Sequence, residues 1–542
     1  MKSLFTLSSS TKINLVLSFL TAILLGISFP PFQTGIFACV GFVPFFFLVE
    51  RIEPFWRFFR YSYATFFVFC CITLYWVGGF THLKDPYLML AGGAVLLFQP
   101  LYFTIASSVY YFVRKKTVST WTVLVFPLIW ITFEWLYALG EFAFPWLTIG
   151  NTQTYQLEKI QFTEITGVYG VSLWVLTLNI LFYFLIKSIL IGGITNKKNV
   201  YLLLGFSVVY FLPNIYSATV DESRFRSSQS LTVGIIQPNV DPWDKWEGAN
   251  TFSGRMKQVE TYLQLIGKYV NNSTDIVVLP ESAILLNLPE YHEEYSNFKK
   301  IIDSLNVAVI SGYIKVKYYD HTTAPVSSSV IKGTNIRYDS FNSVMFVEPH
   351  KDGVQSYSKM RLVPFAERIP YADQVPFLIE PLRWGVGISN WGLLHDSTVF
   401  VNDKLHTKFL GMVCYESIFP EFVSSFVNKG AEFLVFITND SWWGNTSGAR
   451  QHNQFAVMRA IENRRWVVRC ANGGISSFID PTGRMYDATT MYTQTYIQHK
   501  IEPLQTKTFY TLHGDWVARI LATITVIILL ETIIYSLSRK VK

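Results

Sequence analysis

Read for runs of apolar positions, the chain divides into three stretches. Runs of mostly apolar residues, close to the ~20 needed to cross a bilayer as a helix, occur at 13–29, 35–49, 61–80, 88–113, 120–139, 167–190 and 200–217, and once more at 516–536. The second is the shortest and contains Pro44. Pro127 falls inside the fifth, where neighbouring helices can satisfy the freed backbone. From about Asp221 to Asp515 the charges are spread as in a soluble globule, over enough chain for one domain with its own core. Within it, short runs bounded by Pro, Asn or Gly and often rich in Val and Ile predict strands at 231–237, 275–279, 307–314, 343–347, 409–413, 433–438 and 466–470. Apolar spacing at 256–270 and 453–463 predicts amphipathic helices. The alternation implies a layered α/β domain. The expected organisation is seven membrane helices in 1–218, a soluble domain in 219–512, and an eighth helix with a short tail in 513–542.

Composition agrees with that division. Of 542 residues, 50% are hydrophobic, 17% aromatic and only 15% charged, which is the membrane class. The net charge of +7 would suggest a nucleic-acid partner, but the placement of the cations gives it another meaning. Alternate connections carry Lys2, Lys12, Arg51, Arg57, Arg60, Arg114, Lys115, Lys116, Lys187, Lys197 and Lys198, and the tail adds Arg539, Lys540 and Lys542. The intervening short loops carry only Lys84 and Lys159. Less Glu50 and Glu53, the first set holds more positive charge than the whole chain's +7, so the remainder is net acidic. Positive charge marks the cytoplasmic side. Both termini are therefore expected in the cytoplasm and the soluble domain across the membrane, with no nucleic-acid partner. The polar stretch 1–14 precedes an apolar run, but Ile27-Ser28-Phe29-Pro30 lacks a small-residue cleavage pattern, so an uncleaved first span is expected.

Candidate chemistry is confined to the soluble stretch. Cys39, Cys70 and Cys71 sit in apolar runs and read as packing residues. No CxxC or Cys/His spacing suits zinc, and no Gly-rich motif suits a phosphate, so neither metal nor nucleotide is expected. Three positions at or just after predicted strands stand out. Glu281 follows Val277-Val278-Leu279-Pro280, Cys414 follows Gly411-Met412-Val413, and Lys359 lies eight residues before Glu367. Strand ends in α/β folds converge on one crevice. A Glu, a Lys and a Cys meeting there would make a nucleophilic site: the Glu takes the thiol proton, the Lys stabilises thiolate and oxyanion, and the Cys forms a thioester. Each alone has an ordinary reading: a packed thiol, a helix cap, a surface charge. His452 allows a Cys/His pairing with Cys414, which is set aside because His452 falls in a helical stretch and Glu281 and Lys359 are better placed as partners by motif. Cys470 is expected as a packed thiol in its strand, rather than a disulfide partner that would disable Cys414. Glu134 lies inside a span, and an internal structural hydrogen bond is its expected role.

The stretches LPES, SKMRLVPFAE, GMVCYES and ITNDSWWG resemble the nitrilase superfamily, whose triad is Glu, Lys and Cys in that order. With spans on both sides, and with Ser28-Phe29-Pro30-Pro31-Phe32 and Phe144-Pro145-Trp146-Leu147, the whole chain resembles the apolipoprotein N-acyltransferase family. That resemblance implies an α-helical membrane bundle of about eight helices plus a nitrilase-like α/β domain, an αββα sandwich. It places the general base on Glu281, the triad lysine on Lys359 and the nucleophile on Cys414. It places accessory or substrate-binding residues on Glu367, Tyr415, Glu416 and Trp146, and on Trp246 with Trp243 close enough to compete. Ala366 stands where Gly is common, and Trp443 where Phe is common.

The implied reaction is ping-pong acyl transfer from a membrane phospholipid, through a Cys414 thioester, to the α-amine of a diacylglyceryl-cysteine at a lipoprotein N-terminus. The implied setting is the bacterial inner membrane with the catalytic domain in the periplasm and no cofactor; a monomer is expected separately. Two other readings remain open at this point. A membrane-tethered amidase or nitrilase acting on a small C–N substrate shares the triad but leaves seven preceding spans without a purpose. A non-catalytic lipoprotein scaffold has no need of the triad.

Overall fold

The computed structural model describes residues 8–79, 86–117, 119–271, 273–320, 322–379 and 390–541. Lys2, Lys84 and Lys542, and the side chains of Arg539 and Lys540, lie outside what is described. The chain forms two units. One holds Met1–Ala138, Pro145–Val220 and Asp515–Lys542, and the other holds Leu139–Phe144 and Asp221–Gly514.

The first unit is helical. Among the described residues, seven helices are long and apolar enough to cross a membrane: Ser9–Gly26, Phe55–Gly78, Pro86–Thr117, Thr120–Tyr137, Thr163–Gly192, Lys197–Ala218 and Trp516–Ser538. Gly167 takes φ +64°, a value glycine adopts without a Cβ penalty, so the regular part of its helix starts there, where the apolar run begins. Leu203, Leu204, Val208, Phe211 and Leu212 are each more than half exposed, an apolar face that water would not tolerate and lipid would. Inside, Phe42, Phe126 and Trp130 pack with ring centres 4.8–5.3 Å apart.

The second predicted span is not one helix. It is a 3₁₀ turn, Gly35–Cys39, followed by a short α-helix, Val43–Arg51. A break leaves backbone groups unpaired, which lipid punishes and a protein interior can repair. Here Asn179 repairs it: its Oδ1 accepts the Phe42 N–H at 2.7 Å and its Nδ2 donates to the Ala38 carbonyl at 2.7 Å. Gln153 donates to the Gly35 carbonyl at 2.8 Å. Both side chains are fully buried. At one end of the bundle Glu50 pairs with Arg114 (2.7 Å) and Lys187 (2.5 Å), and Glu53 pairs with Lys115 (3.0 Å).

The second unit is a sandwich of two sheets. Its described strands are β1 (Leu231–Gln237), β2 (Ile276–Val278), β3 (Ala308–Tyr319), β4 (Ser329–Val330), β5 (Arg337–Val347), β6 (Gln355–Ser358), β7 (Phe400–Asn402), β8 (Thr407–Val413), β9 (Phe433–Thr438), β10 (Val467–Ala471), β11 (Ser477–Ile479), β12 (Met485–Tyr486) and β13 (Thr495–Ile501). One sheet runs β13-β1-β2-β3-β5-β4, with β6 also on β5, and the other runs β12-β11-β10-β9-β8-β7. Strands β1, β2 and β3 are parallel, as are β8, β9 and β10. The sheets face each other through Phe346 against Phe409 (4.9 Å) and through Cys470, whose Sγ lies 3.6 and 3.5 Å from the Ile236 and Val278 carbonyls. Helices Phe252–Tyr269 and His292–Leu305 cover the first sheet with Val259, Tyr262, Ile266, Phe298 and Ile302. Helix Ser447–Asn463, buried along most of its length, packs on the second sheet. The four layers match the αββα expectation.

Candidate active site

Parallel strands deliver their carboxyl ends to one edge. Strand β8 ends at Val413, and Cys414 begins the turn that follows with φ +51°. A non-glycine residue in that region is strained and persists only where its surroundings enforce it. Strand β2 ends at Val278, and three residues later Glu281 and Ser282 turn back under Gly312 of β3. A Cβ at Gly312 would sit 2.6 Å from the Pro280 carbonyl oxygen, so only glycine lets that turn pass so close. Strand β6 ends at Ser358, and the Lys359 N–H donates to the Asn342 carbonyl of β5 (2.9 Å).

These three ends meet. Lys359, 1% exposed, places Nζ 2.8 Å from Glu367 and 3.7 Å from Glu281. Asn342 donates to the same Glu281 oxygen at 2.7 Å, and the Cys414 thiol is close enough to Glu281 and Lys359 for each to act on its ionisation. Burial raises Glu281 above the ordinary carboxylate range, against the pull of Lys359. Burial, and then the Glu281 charge, pushes the Cys414 thiol well up. Burial alone would lower Lys359, but Glu367 and Glu281 reverse this and hold it above its usual value. The resting site therefore keeps the proton on sulfur, beside a carboxyl group and a fixed ammonium.

Glu367 also accepts the Val363 N–H (2.8 Å), which ties the loop after Lys359 to the lysine. Glu416 is fully buried and spends its carboxylate on three backbone N–H groups and one hydroxyl. One oxygen accepts from the Tyr357 hydroxyl (2.6 Å) and the Met360 and Arg361 N–H groups (2.7 and 3.2 Å). The other accepts the Val413 N–H (3.0 Å). Glu416 thus clamps the segment after Lys359 to the strand end that carries Cys414. Tyr415 donates to the Ala143 carbonyl (2.6 Å) and packs edge-on to Phe419 (5.2 Å).

The remaining expected residues pack on other aromatic rings. Trp246 packs on Trp391 (6.1 Å) and Trp243 on Trp442 (4.9 Å). Between them Lys245 is buried and donates to the Glu281 backbone carbonyl at 3.3 Å, with its pKa lowered by burial to about 8. Trp146 belongs to the helical unit, buried against Trp76 (5.0 Å). Glu134 accepts from Trp130 Nε1 (3.1 Å), the Ile149 N–H (2.8 Å) and Ser172 Oγ (2.8 Å), an internally satisfied carboxyl as expected.

Sequence reasoning missed a polar group behind the nucleophile. Thr438, the last residue of β9, places Oγ1 3.3 Å from Cys414 Sγ and 2.9 Å from Asp440. Asp440 pairs with Arg469 (2.7 Å) and His452 (2.9 Å). His452 reaches the Cys414 carbonyl (3.2 Å) and Ser417 Oγ (3.0 Å). Its helix does face Cys414, so helical placement alone gives no ground for setting it aside; its bonds run to Asp440, to Ser417 and to the Cys414 carbonyl. Cys414, Asp440 and His452 converge as three metal ligands would. Arg469 already supplies the positive charge there, which disfavours a cation. The spacing of Asn439-Asp440 before a helix bearing His452 was the only available signal.

Two family models match the chain: the apolipoprotein N-acyltransferase N-terminal domain over 21–181 and carbon-nitrogen hydrolase over 232–508. A protein of Chlorobaculum tepidum named apolipoprotein N-acyltransferase is 32% identical over 93% of this chain and 93% of its own. One of the same name from Geobacter metallireducens is 29% identical over 92% of this chain and 91% of its own. A solved Saccharomyces cerevisiae protein of the nitrilase superfamily is 14% identical over 52% of this chain and 92% of its own, with a TM-score of 0.35.

Proposed function

Because this chain belongs to the apolipoprotein N-acyltransferase family, we propose that it N-acylates lipoproteins by ping-pong transfer through a thioester on Cys414. The observation that carries this reading is the meeting of Glu281, Lys359 and Cys414 at one edge of the sandwich, in a chain that also holds a membrane bundle. In the first half-reaction Glu281 takes the thiol proton and the sulfur attacks an ester carbonyl of a phospholipid. Lys359 and the Tyr415 N–H stabilise the tetrahedral oxyanion. The C–O bond breaks, and the departing lysophospholipid oxygen takes the proton from Glu281. In the second half the α-amine of a diacylglyceryl-cysteine attacks the thioester, Glu281 accepts the amine proton, and the thiolate leaves and is reprotonated by Glu281. Glu367 holds Lys359, and Glu416 holds the loop and the strand end together.

Both substrates are held in the bilayer by acyl chains, at ~0.8 kcal/mol per buried CH₂. A membrane-embedded enzyme meets them without extracting them. The broken segment Gly35–Arg51 counts as the second of eight crossings, since a 3₁₀ turn, a link and nine α-helical residues span roughly 25–30 Å. On this reading, with eight crossings and the basic ends inside, both termini lie in the cytoplasm and the α/β unit lies in the periplasm. The cations that pair with Glu50 and Glu53 support one basic end.

The test is intact-mass spectrometry after incubation with phospholipid alone. The wild type gains one acyl group and Cys414→Ala gains none. No adduct on folded wild-type protein in excess lipid refutes the thioester and returns the weight to a small-substrate amidase or a scaffold.

A further inference from the structure

A cavity of about 310 Å³ opens beside the triad, walled in part by Met360, Arg361, Leu362, Tyr415, Phe419 and Phe422. Met360 and Tyr415 are the chain neighbours of Lys359 and Cys414. The Glu416 carboxylate holds the Met360 and Arg361 N–H groups, so the cavity wall and the nucleophile's strand end are fixed by one side chain. The Arg361 guanidinium lies 5.5 and 5.4 Å from the ring centres of Phe419 and Phe422. Aromatic faces hold a guanidinium in place without neutralising it. Among the described residues no carboxylate pairs with it. The other charged groups in the wall are engaged. Arg368 donates to the Trp391 carbonyl (2.9 Å), Ser327 (3.0 Å) and Asp373 (2.9 Å), and Glu141 accepts the Tyr371 N–H (2.7 Å).

A preorganised, uncompensated guanidinium in a mostly apolar cavity is a site for an anion that carries apolar substituents. Arginine matches the geometry of a phosphate with paired N–H donors. In a glycerophospholipid the phosphate and the reactive ester sit on opposite ends of one glycerol. We propose that Arg361 binds the phosphodiester of the acyl donor, so that the cavity takes the glycerol and headgroup while the ester carbonyl reaches Cys414. This assignment rests on the phospholipid-donor reading above. It makes the phosphate part of donor selection, so that a neutral diacylglycerol with the same esters is a poor donor.

The experiment uses the full chain in detergent micelles with either dipalmitoyl phosphatidylethanolamine or dipalmitoylglycerol. The single-turnover rate of acyl-Cys414 formation is followed by intact mass for wild type, Arg361→Gln and Arg361→Lys. The expected result is a wild-type preference for the phospholipid that falls about tenfold in Arg361→Gln, the loss of one charge-assisted contact, and is partly restored in Arg361→Lys. An unchanged ratio overturns the assignment, whether both rates fall together or neither falls. Failure of the wild type to be acylated by either donor overturns the thioester reading and this proposal with it, so the two failures are distinguishable. Competition by sn-glycerol 3-phosphate in the wild type, lost in Arg361→Gln, extends the site to free phosphoesters. Lack of competition with the ratio still shifted restricts it to lipid-borne phosphate.

Discussion

Replacing Glu416 with Gln separates a clamp from a substrate contact. The wild-type carboxylate accepts four hydrogen bonds with no water access, three on one oxygen and the Val413 N–H on the other. The amide keeps one carbonyl oxygen for the first three donors, but it then turns an N–H₂ toward the Val413 N–H. One bond becomes a donor–donor contact, and the other three fall from charge-assisted to neutral strength. Bonds to charged groups contribute ~1.5–3 kcal/mol and neutral ones ~0.5–1.5 kcal/mol. Burial raises Glu416, so part of the gain is offset by the cost of keeping the charge dry. The net destabilisation should be about 2–4 kcal/mol, centred on the joint between the Lys359 loop and the end of β8. Two measurements read it. Thermal unfolding in detergent should shift downward, and alkylation of Cys414 by iodoacetamide, which needs no lipid, should change in rate because Lys359 and the strand end lose their common anchor. A Glu416→Gln protein with wild-type melting and wild-type alkylation, but defective acyl transfer, would refute the clamp and restore a direct substrate role.

Three further outcomes follow from the same geometry. Thr438→Val removes the only described hydroxyl that reaches Cys414 Sγ, so alkylation of the thiol should slow about tenfold, with Thr438→Ser close to wild type; equal rates in all three would rule out a hydrogen bond to the sulfur. Glu281 must be ionised to act as base and burial raises it, so acyl-enzyme formation should fall as pH drops through a value above the ~4.3 of a free Glu; an acid limb at the ordinary value would contradict the buried site. Asn179→Leu strips partners from the Phe42 N–H and Ala38 carbonyl, at about 2–4 kcal/mol together, and should lower the melting temperature in detergent while leaving the soluble-domain circular dichroism intact; an unchanged melt would mean the break is satisfied elsewhere.

What the chain made legible follows from how far each signal reaches along it. Seven spans were readable because a helix satisfies its own backbone, so twenty apolar residues suffice to announce it. The segment after Gly35 misled because its break is repaired by residues 153 and 179, which no local window includes. Strands β1, β2, β8 and β9 were readable because both faces are buried and they form near-continuous apolar runs. Strand β13, with Gln498, His499 and Lys500, is half-exposed and carries no such run. Glu281 and Cys414 were legible because each sits just after a strand that its own apolar run announces, and Lys359 through the SKMRLVPFAE stretch around it, since β6 carries no such run. Thr438, Asp440 and Arg469 were not, because their relation to Cys414 runs across neighbouring strands of one sheet.

The repair of the broken segment Gly35–Arg51 also sets an order of assembly. Phe42 leaves the ribosome 137 residues before the asparagine that accepts its N–H. During that interval the joint between Ala38 and Phe42 lacks the side chain that closes it, until the helix beginning at Thr163 has been made. The N-terminal third of the bundle is therefore a late-setting structure, although it is made first. A nascent chain stalled before residue 179 should remain protease-sensitive near Cys39–Phe42, and one stalled well after it should not.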